Sequence, residues 1–363
     1  MSTHRVAHPS TTPQNTHLKT QHRAAEQLMR ASRLLFVALA AVFGILNVTG
    51  VTLSIETQSI VYLVGMVAMN LPHGGFEHAN NLWNRPLSFA LRYVALFAIA
   101  ISLFVGLLFW QPTLGLGLAL TVAMVKGGHG GLRAVDAVTG TSHLASTAQR
   151  VLAAVVRGGA VMIVPMIAWP GTFLAFSQYM VNIFDPGALT GAAANIPTVR
   201  WTLGIGYGIA ALLHVGIGYA RSGGNNAWRV DALETLLLIV YFSAVPVLVA
   251  VGLYFPVWYS LRQVARAVAV DDAPPSDNAD ESAEGGALVI VERIKTGGTF
   301  LLGTLATFGL MAAFYVFFPV PTGGAPFWAG LVAFYSIFVS IIALPHIVVG
   351  AWLDNEQGIW YVP

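Results

Sequence analysis

The sequence contains no cysteine and few charged residues. Only 9% of its 363 residues are charged and 56% are hydrophobic, whereas soluble domains carry about 25% charged residues. The absence of cysteine excludes disulfides, thiolate metal sites and cysteine nucleophiles. The scarcity of charge excludes a surface that faces water on all sides. The 18 basic and 16 acidic residues leave a net charge of +2, which is too small to predict a nucleic-acid partner. The composition therefore predicts a membrane protein.

Apolar runs separated by short polar segments fill most of the chain. A helix needs about 20 apolar residues to cross the hydrocarbon core of a bilayer. The runs lie at 33–54, 59–72, 87–110, 112–126, 151–169, 202–220, 232–257, 299–319 and 327–349. A weaker run at 172–184 is either a further span or a re-entrant segment. We expect an all-α integral membrane protein with a bundle of about eight to ten transmembrane helices.

Two polar segments divide the chain. Residues 1–32 predict a disordered polar tail, with a helix from about Ala24, and residues 33–363 predict a single transmembrane helical domain. Within that domain, residues 271–286 carry six acidic side chains and no basic one, which predicts a solvated loop. Lysines and arginines accumulate in cytoplasmic segments. Their positions predict a multi-pass protein of the cell membrane with a cytoplasmic N-terminus.

The chain contains ten histidines, and six lie within or close to apolar runs. These six are His73, His78, His129, His143, His214 and His346. Polar side chains inside a bilayer usually face a bundle interior or a cavity. A neutral imidazole is a common ligand of iron, copper and zinc. Converging histidines would form a non-haem iron or zinc site, and the alternative is that each histidine hydrogen-bonds a neighbouring helix.

Local context separates these residues. His73 and His129 adjoin glycines, so we expect both at broken helix ends, as ligands or cavity residues. We expect His214 to form a hydrogen bond between helices. We expect His143, which is in a polar segment, to lie at the membrane surface. Glu77 shares a helix face with His73 at a spacing of four. Glu234 either orients a histidine through a hydrogen bond or occupies a helix start, where the dipole favours an acid.

Five motifs occur in the order found in a known family. They lie at Asn70–His78 (NLPHGGFEH), His129–Gly131 with Asp136 downstream, Arg157–Pro170, Glu234–Gln263 and Leu344–His346. With these motifs the sequence resembles the Brp/Blh family (bacterio-opsin-related proteins), the membrane β-carotene 15,15′-dioxygenases. The resemblance covers residues from about 70 to 350.

The resemblance implies oxidative cleavage of β-carotene at its central double bond, using non-haem Fe(II), to supply retinal for a microbial rhodopsin. It assigns iron ligands to His73 and His129. Two further family ligands are histidines four apart on one helix, and Tyr259 and Gln263 stand at those positions. His214, His78 or His346 would then complete the iron site, with Glu77 and Glu234 outside the ligand set.

The two replaced histidines leave other functions open. A non-catalytic relative would bind a carotenoid or retinal, or assist a rhodopsin, in the same membrane bundle. A rebuilt metal site with Tyr259 as a ligand or proton donor would carry a changed reaction. A transporter is disfavoured, because the sequence shows no repeated pair of broken helices.

Overall fold

A computed structural model describes residues 13–70, 86–270 and 283–356. The described residues are 86% helical and contain no β-strand. This confirms the predicted all-α fold. A helix satisfies its backbone hydrogen bonds within its own segment, as a bilayer requires.

Twelve α-helices occur in the described ranges. They are α1 (Pro13–Val48), α2 (Ile55–Leu63), α3 (Leu87–Trp110), α4 (Pro112–Val138), α5 (Thr147–Ala168), α6 (Pro170–Asn182), α7 (Ile196–Ser222), α8 (Asn226–Ala244), α9 (Val247–Leu253), α10 (Leu261–Val270), α11 (Ala283–Phe317) and α12 (Phe327–Glu356). π-Helical segments extend α2 over Val64–Asn70 and join α9 to α10 over Tyr254–Ser260.

Six helical segments of the described ranges are long and apolar enough to cross a membrane. They lie in α1, α3, α5, α7, the continuous α9–α10 segment and α12, and two shorter apolar helices span Ile55–Val67 and Leu301–Phe317. The chain is thus a multi-pass membrane protein by length and composition. The predicted count of eight to ten spans and the topology after residue 170 stay predictions.

The N-terminal helix begins earlier than the sequence predicted. α1 starts at Pro13, so residues 13–32, expected to be mostly disordered, are helical. Ala25 and Met29 are fully buried and pack against Val135, Val138 and Ala265. The apolar residues in this polar stretch therefore face α4 and α10, and that packing supplies stability that the local sequence does not reveal.

The glycine pairs around His129 do not break the helix, which corrects the prediction of a broken helix end. α4 runs without interruption through all four glycines. A Cβ on Gly128 would lie 2.0 Å from the carbonyl oxygen of Ala154 on α5, and one on Gly130 would lie 2.7 Å from the ring of Tyr259. These glycines allow close contact between helices, which outweighs their low helix propensity.

Prolines interrupt the apolar run at 232–257. Residues 232–257 are not one straight helix, because α8 ends before Pro246 and Pro256 lies in the π-helical segment. Proline cannot donate the backbone hydrogen bond that an α-helix needs at its position. The resulting irregular segment lies in the main apolar core, where Phe36 contacts Tyr241 and Trp258 with ring centroids 3.9 and 4.6 Å apart.

Candidate functional site

A large cavity lies between the helices. Its volume is about 1210 Å³, which exceeds the roughly 300–1,000 Å³ typical of sites for small ligands. Side chains from α2, α3, α4, α6 and the segments after α8 contribute to its walls, together with α11 and α12. Most of the wall is apolar, and Phe97, Phe173 and Phe176 line it.

Polar residues of the cavity gather where α4 meets the π-helical segment and α10. Lys126, Tyr259 and Gln263 all line the cavity. The Lys126 ammonium lies 5.6 Å from the centroid of the Tyr259 ring, within range of a cation–π contact. Gln263 Nε2 donates a hydrogen bond to the carbonyl oxygen of Gly130, at 3.0 Å. Tyr259 and Gln263, which stand at the positions of two family histidines, therefore lie against α4, the helix that carries His129.

The local fold explains why Tyr259 reaches this position. It lies in the π-helical segment Tyr254–Ser260, and short π-helical stretches are common at functional sites. The second π-helical segment, Val64–Asn70, packs against the first one. Gly65 lies against the end of α9, just before the other π-helical segment, because a Cβ at that position would lie 2.2 Å from the carbonyl oxygen of Gly252. The two irregular segments therefore support each other beside the cavity.

The predicted ligand residues fall in different places. His129 lies on α4 one turn after Lys126, with an exposed side chain. His346 lines the cavity from α12. His214 is buried elsewhere, against Asp231. His73, Glu77 and His78 lie outside the described residues.

The described residues do not on their own fit a complete iron site. No group of three or more His, Asp or Glu side chains suited to a metal occurs within residues 13–70, 86–270 and 283–356. The Gln263 amide is hydrogen-bonded to Gly130, and Tyr259 supplies a phenol where the family has an imidazole. Neither is as suitable a ferrous ligand as the imidazole it replaces.

A second group of polar residues, which we call the charge cluster, lies apart from the cavity's polar end. It is fully buried except for Arg33, whose side chain is 29% exposed. Its members are Arg33, Arg157, Arg262, Asp231, Glu234, His143 and His214. Buried charges persist only when they are paired and hydrogen-bonded, so the geometry of each carboxylate matters.

Glu234 is the centre of the charge cluster. Arg262 forms a two-point contact with it, because Nη1 and Nη2 each donate to one carboxylate oxygen at 2.8 Å. Arg33 Nε donates to Oε1 at 2.7 Å, and Arg157 Nη2 donates to Oε2 at 3.0 Å. Arg262 also stacks on the Trp258 ring at 3.5 Å. One carboxylate thus joins α1, α5, α8 and α10.

Asp231, one turn before Glu234, holds the remaining members. Its Oδ1 accepts a hydrogen bond from Arg157 Nε at 3.0 Å. Its Oδ2 lies 2.8 Å from His143 Nε2 and 3.1 Å from His214 Nε2. Both imidazoles satisfy the same carboxylate oxygen when each carries its proton on Nε2. Asp231 therefore joins α7 and the α4–α5 connection to the same cluster.

Two predictions about these residues are wrong. His143, predicted at the membrane surface, is buried at 1% exposure, because its imidazole lies against the buried carboxylate of Asp231. Glu234 lies in the third turn of α8 rather than at its start, and it contacts arginines, not a histidine. The hydrogen bond between helices predicted for His214 is confirmed.

Sequence reasoning assigned no role to Asp231, Arg33 or Arg262. The available signal was their occurrence beside or within apolar runs, where ionisable residues are usually paired or functional. Arg33 and Arg262 lie 201 and 28 positions from Glu234 in the chain. Nothing in the linear sequence indicates that both contact its carboxylate.

Comparison with known proteins agrees with the motifs. The family described as "Beta-carotene 15,15'-dioxygenase" matches residues 64–354. A protein named "Probable beta-carotene 15,15'-dioxygenase Brp" from two strains of Halobacterium salinarum is 51% identical over 350 residues, covering 94% of this chain and 96% of the relative. A second Halobacterium salinarum protein, named "Probable beta-carotene 15,15'-dioxygenase Blh", is 28% identical over 350 residues, covering 93% of this chain and 96% of the relative.

No solved structure is significantly similar to this chain. The family match covers most of the sequence, and the 51% identity extends over nearly all of it and of the relative. The predicted resemblance is confirmed, and the chain belongs to the beta-carotene 15,15'-dioxygenase family.

Proposed function

We propose that this protein is a membrane dioxygenase that cleaves β-carotene at the central double bond and yields retinal. The observation that carries the proposal is the 1210 Å³ cavity, whose apolar walls lead to polar residues at the family motif positions. The names and identities of the relatives support the same reaction. A long hydrocarbon substrate would enter from lipid, its natural solvent.

The described side chains suggest how a polyene would be positioned. Aromatic residues such as Phe97, Phe173 and Phe176 offer flat apolar surface to a conjugated chain. Lys126, Tyr259 and Gln263 lie where the cavity meets α4. Holding the reacting bond in one place supplies a large part of enzymatic rate acceleration. In this proposal the walls orient the substrate and exclude water.

Fe(II) is part of the proposal and comes from the resemblance. His73 and His129 are the family ligand positions that carry histidine here. Of the residues considered for completing the site, His346 lines the cavity and His214 is hydrogen-bonded to Asp231. We therefore favour His346 over His214 as a further ligand, and His78 remains a candidate outside the described residues.

Location and partners extend the proposal. The substrate would be β-carotene and the product retinal. Membrane lipid would surround the protein, and a microbial rhodopsin would receive the retinal. The helices described above support a multi-pass protein. We place it in the cell membrane with a cytoplasmic N-terminus, on the basis of the basic segments in the sequence.

A specific observation favours a second candidate, a non-catalytic carotenoid- or retinal-binding protein. Tyr259 and Gln263 stand where the family has two histidines, and the side chains of both contact Gly130. Such contacts would keep the pocket intact after loss of the iron site. This candidate predicts carotenoid binding without turnover.

One experiment separates the two functions. The purified full-length protein, supplied with ferrous iron and β-carotene in detergent, should bind iron and form retinal. His73→Ala and His129→Ala should each abolish retinal formation and lower iron content, because each removes an imidazole ligand. Iron content and retinal yield are measured on the same samples.

His22→Ala is the matched control, because His22 is exposed on α1 and pairs only with Glu26, at 3.4 Å, among the contacts described. Its iron content and retinal yield should equal those of the unmodified protein. Retinal formation that persists in both ligand variants would refute the assigned site. Bound carotenoid without iron or retinal would establish the non-catalytic candidate.

A further inference from the structure

A groove on the outer surface runs between α1 and α8, away from the large cavity. Its volume is about 580 Å³. Val37 and Ala41 line one side, and Leu233, Leu236 and Val240 line the other. All five side chains are exposed. In a membrane-spanning bundle, an exposed apolar groove faces acyl chains rather than water.

The length of the groove matches one leaflet. α1 and α8 run parallel, because Arg33 contacts Glu234 near one end and Asn47 Nδ2 donates to the carbonyl oxygen of Ala244 near the other, at 2.8 Å. The wall from Val230 to Val240 covers ten helical steps, or about 15 Å at 1.5 Å per residue. This is half of the roughly 30 Å hydrocarbon core and equals the depth of one lipid monolayer.

The N-terminal end of the groove is positively charged. Arg33 lines it. Arg30 lies one turn before Arg33 on α1, and Arg229 lies one turn before Leu233 on α8, and both are exposed. The nearest acid along this face of α1 is Glu26, which pairs with His22. Helical spacing therefore puts three arginines on the two helices at the end where a lipid headgroup would lie.

The charge cluster behind the groove does not neutralise this end. Its three arginines face two carboxylates, Asp231 and Glu234. Glu234 lines the groove but already accepts hydrogen bonds from all three arginines. Arg33 Nη2 is a buried atom without a hydrogen-bond partner among the described residues. An additional anion at the groove would balance the surplus charge of the cluster.

The geometry points to a binding site for an anionic phospholipid in this groove. Its phosphate lies among Arg30, Arg33 and Arg229, and one acyl chain follows Val37, Leu233 and Val240 along the groove. The site does not depend on the proposed reaction, because it opens on the outer surface and its lining residues do not line the cavity.

The test uses the purified full-length protein in phosphatidylcholine-containing micelles, to which phosphatidylglycerol is added. Phosphatidylglycerol should raise the Tm, and native mass spectrometry should detect it as a retained adduct. Arg33→Gln should weaken binding by about fivefold to tenfold, because one arginine facing an anionic lipid contributes an effect of this size. Ala41→Trp should abolish the adduct by filling the groove while every ion pair stays in place.

Matched controls lie on other exposed surfaces of the bundle. Arg200→Gln removes an exposed arginine from α7, and Ala98→Trp enlarges an exposed alanine on α3. Both should keep the full response to phosphatidylglycerol. The readout is the lipid-dependent change in Tm, so a lower starting stability of Arg33→Gln does not obscure it.

Three outcomes would overturn the inference. Equal stabilisation by added phosphatidylcholine would remove the role of headgroup charge. An unchanged adduct in both Arg33→Gln and Ala41→Trp would place the lipid elsewhere. A dimer that dissociates in Ala41→Trp, with no lipid adduct in the unmodified protein, would assign the groove to a second copy of the chain.

Discussion

At the scale of single residues, Glu234 has the most consequential environment in the protein. It is 1% exposed and neutralises arginines from three other helices. Removing one member of a buried ion pair leaves an uncompensated charge, which costs far more than the net stabilisation by the intact pair. The stability of the bundle therefore depends on this carboxylate.

We expect Glu234→Gln to lower the free energy of unfolding by about 3–5 kcal/mol, because Arg262 and Arg157 lose their shared counter-charge. Unfolding in a titration with denaturing detergent measures the change. Glu56→Gln, which removes an exposed carboxylate from α2, should leave stability nearly unchanged. Equal stability of the two variants would show that the arginines find another partner.

Residue identity predicted chemistry better than it predicted contacts. The sequence correctly assigned His214 to a hydrogen bond between helices, because an imidazole on an apolar helix needs a polar partner. It misplaced His143, because the polarity of the surrounding segment suggested exposure. The partner that buries His143 is Asp231, 88 positions away, and sequence distance gives no information about such a pair.

At the scale of helices, α4 and α5 pack at backbone contact. A Cβ on Gly128 would lie 2.0 Å from the carbonyl oxygen of Ala154, and one on Gly158 would lie 2.1 Å from that of Met124. Small residues allow such close contacts in membranes, where the hydrophobic effect no longer drives helix association. The sequence showed these glycines but suggested a helix break instead, since propensity alone ignores the facing helix.

We expect Gly128→Ala to destabilise the protein by about 1–3 kcal/mol, the usual cost of overpacking, although alanine is the better helix former. Gly117→Ala on the same helix, where a Cβ meets nothing within 4 Å, should be neutral or stabilising by up to about 1 kcal/mol. Thermal unfolding of both variants gives the comparison. A neutral Gly128→Ala would mean that α4 and α5 separate without cost.

Helix positions were largely predictable, whereas their continuity was not. Apolar length located the spans at 87–110 and 327–349 close to α3 and α12. The break at Pro246 followed from proline chemistry. The π-helical segments at Val64–Asn70 and Tyr254–Ser260 could not be predicted from the sequence, because they depend on how two helices meet.

At the scale of the whole molecule, the cavity is the feature that the sequence least anticipated. Its lining comes from nine α-helices and both π-helical segments, distributed between Tyr62 and His346. Motif matching identified Tyr259 and Gln263, and the fold shows that both face one chamber with Lys126. The enclosing walls arise from packing, which no local pattern encodes.

Under the proposed function, narrowing the chamber should block turnover without unfolding the protein. We expect Ala123→Phe, at a lining position on α4, to reduce retinal yield by roughly tenfold to a hundredfold, because a misplaced substrate reacts much more slowly. Ala95→Phe, on the exposed surface of α3, is the control. Retinal assays at matched protein concentration measure both, and full activity of Ala123→Phe would place the substrate outside this chamber.

The two carboxylates of α8 also constrain how the protein is made. α8 is not among the six segments that qualify as membrane spans, and unpaired carboxylates on an inserting helix oppose its entry into the bilayer. Arg33 and Arg157, which neutralise these carboxylates, are synthesised earlier, on α1 and α5. We therefore expect α1 and α5 to remain close to the insertion site until α8 emerges, so that α8 enters the bilayer already paired.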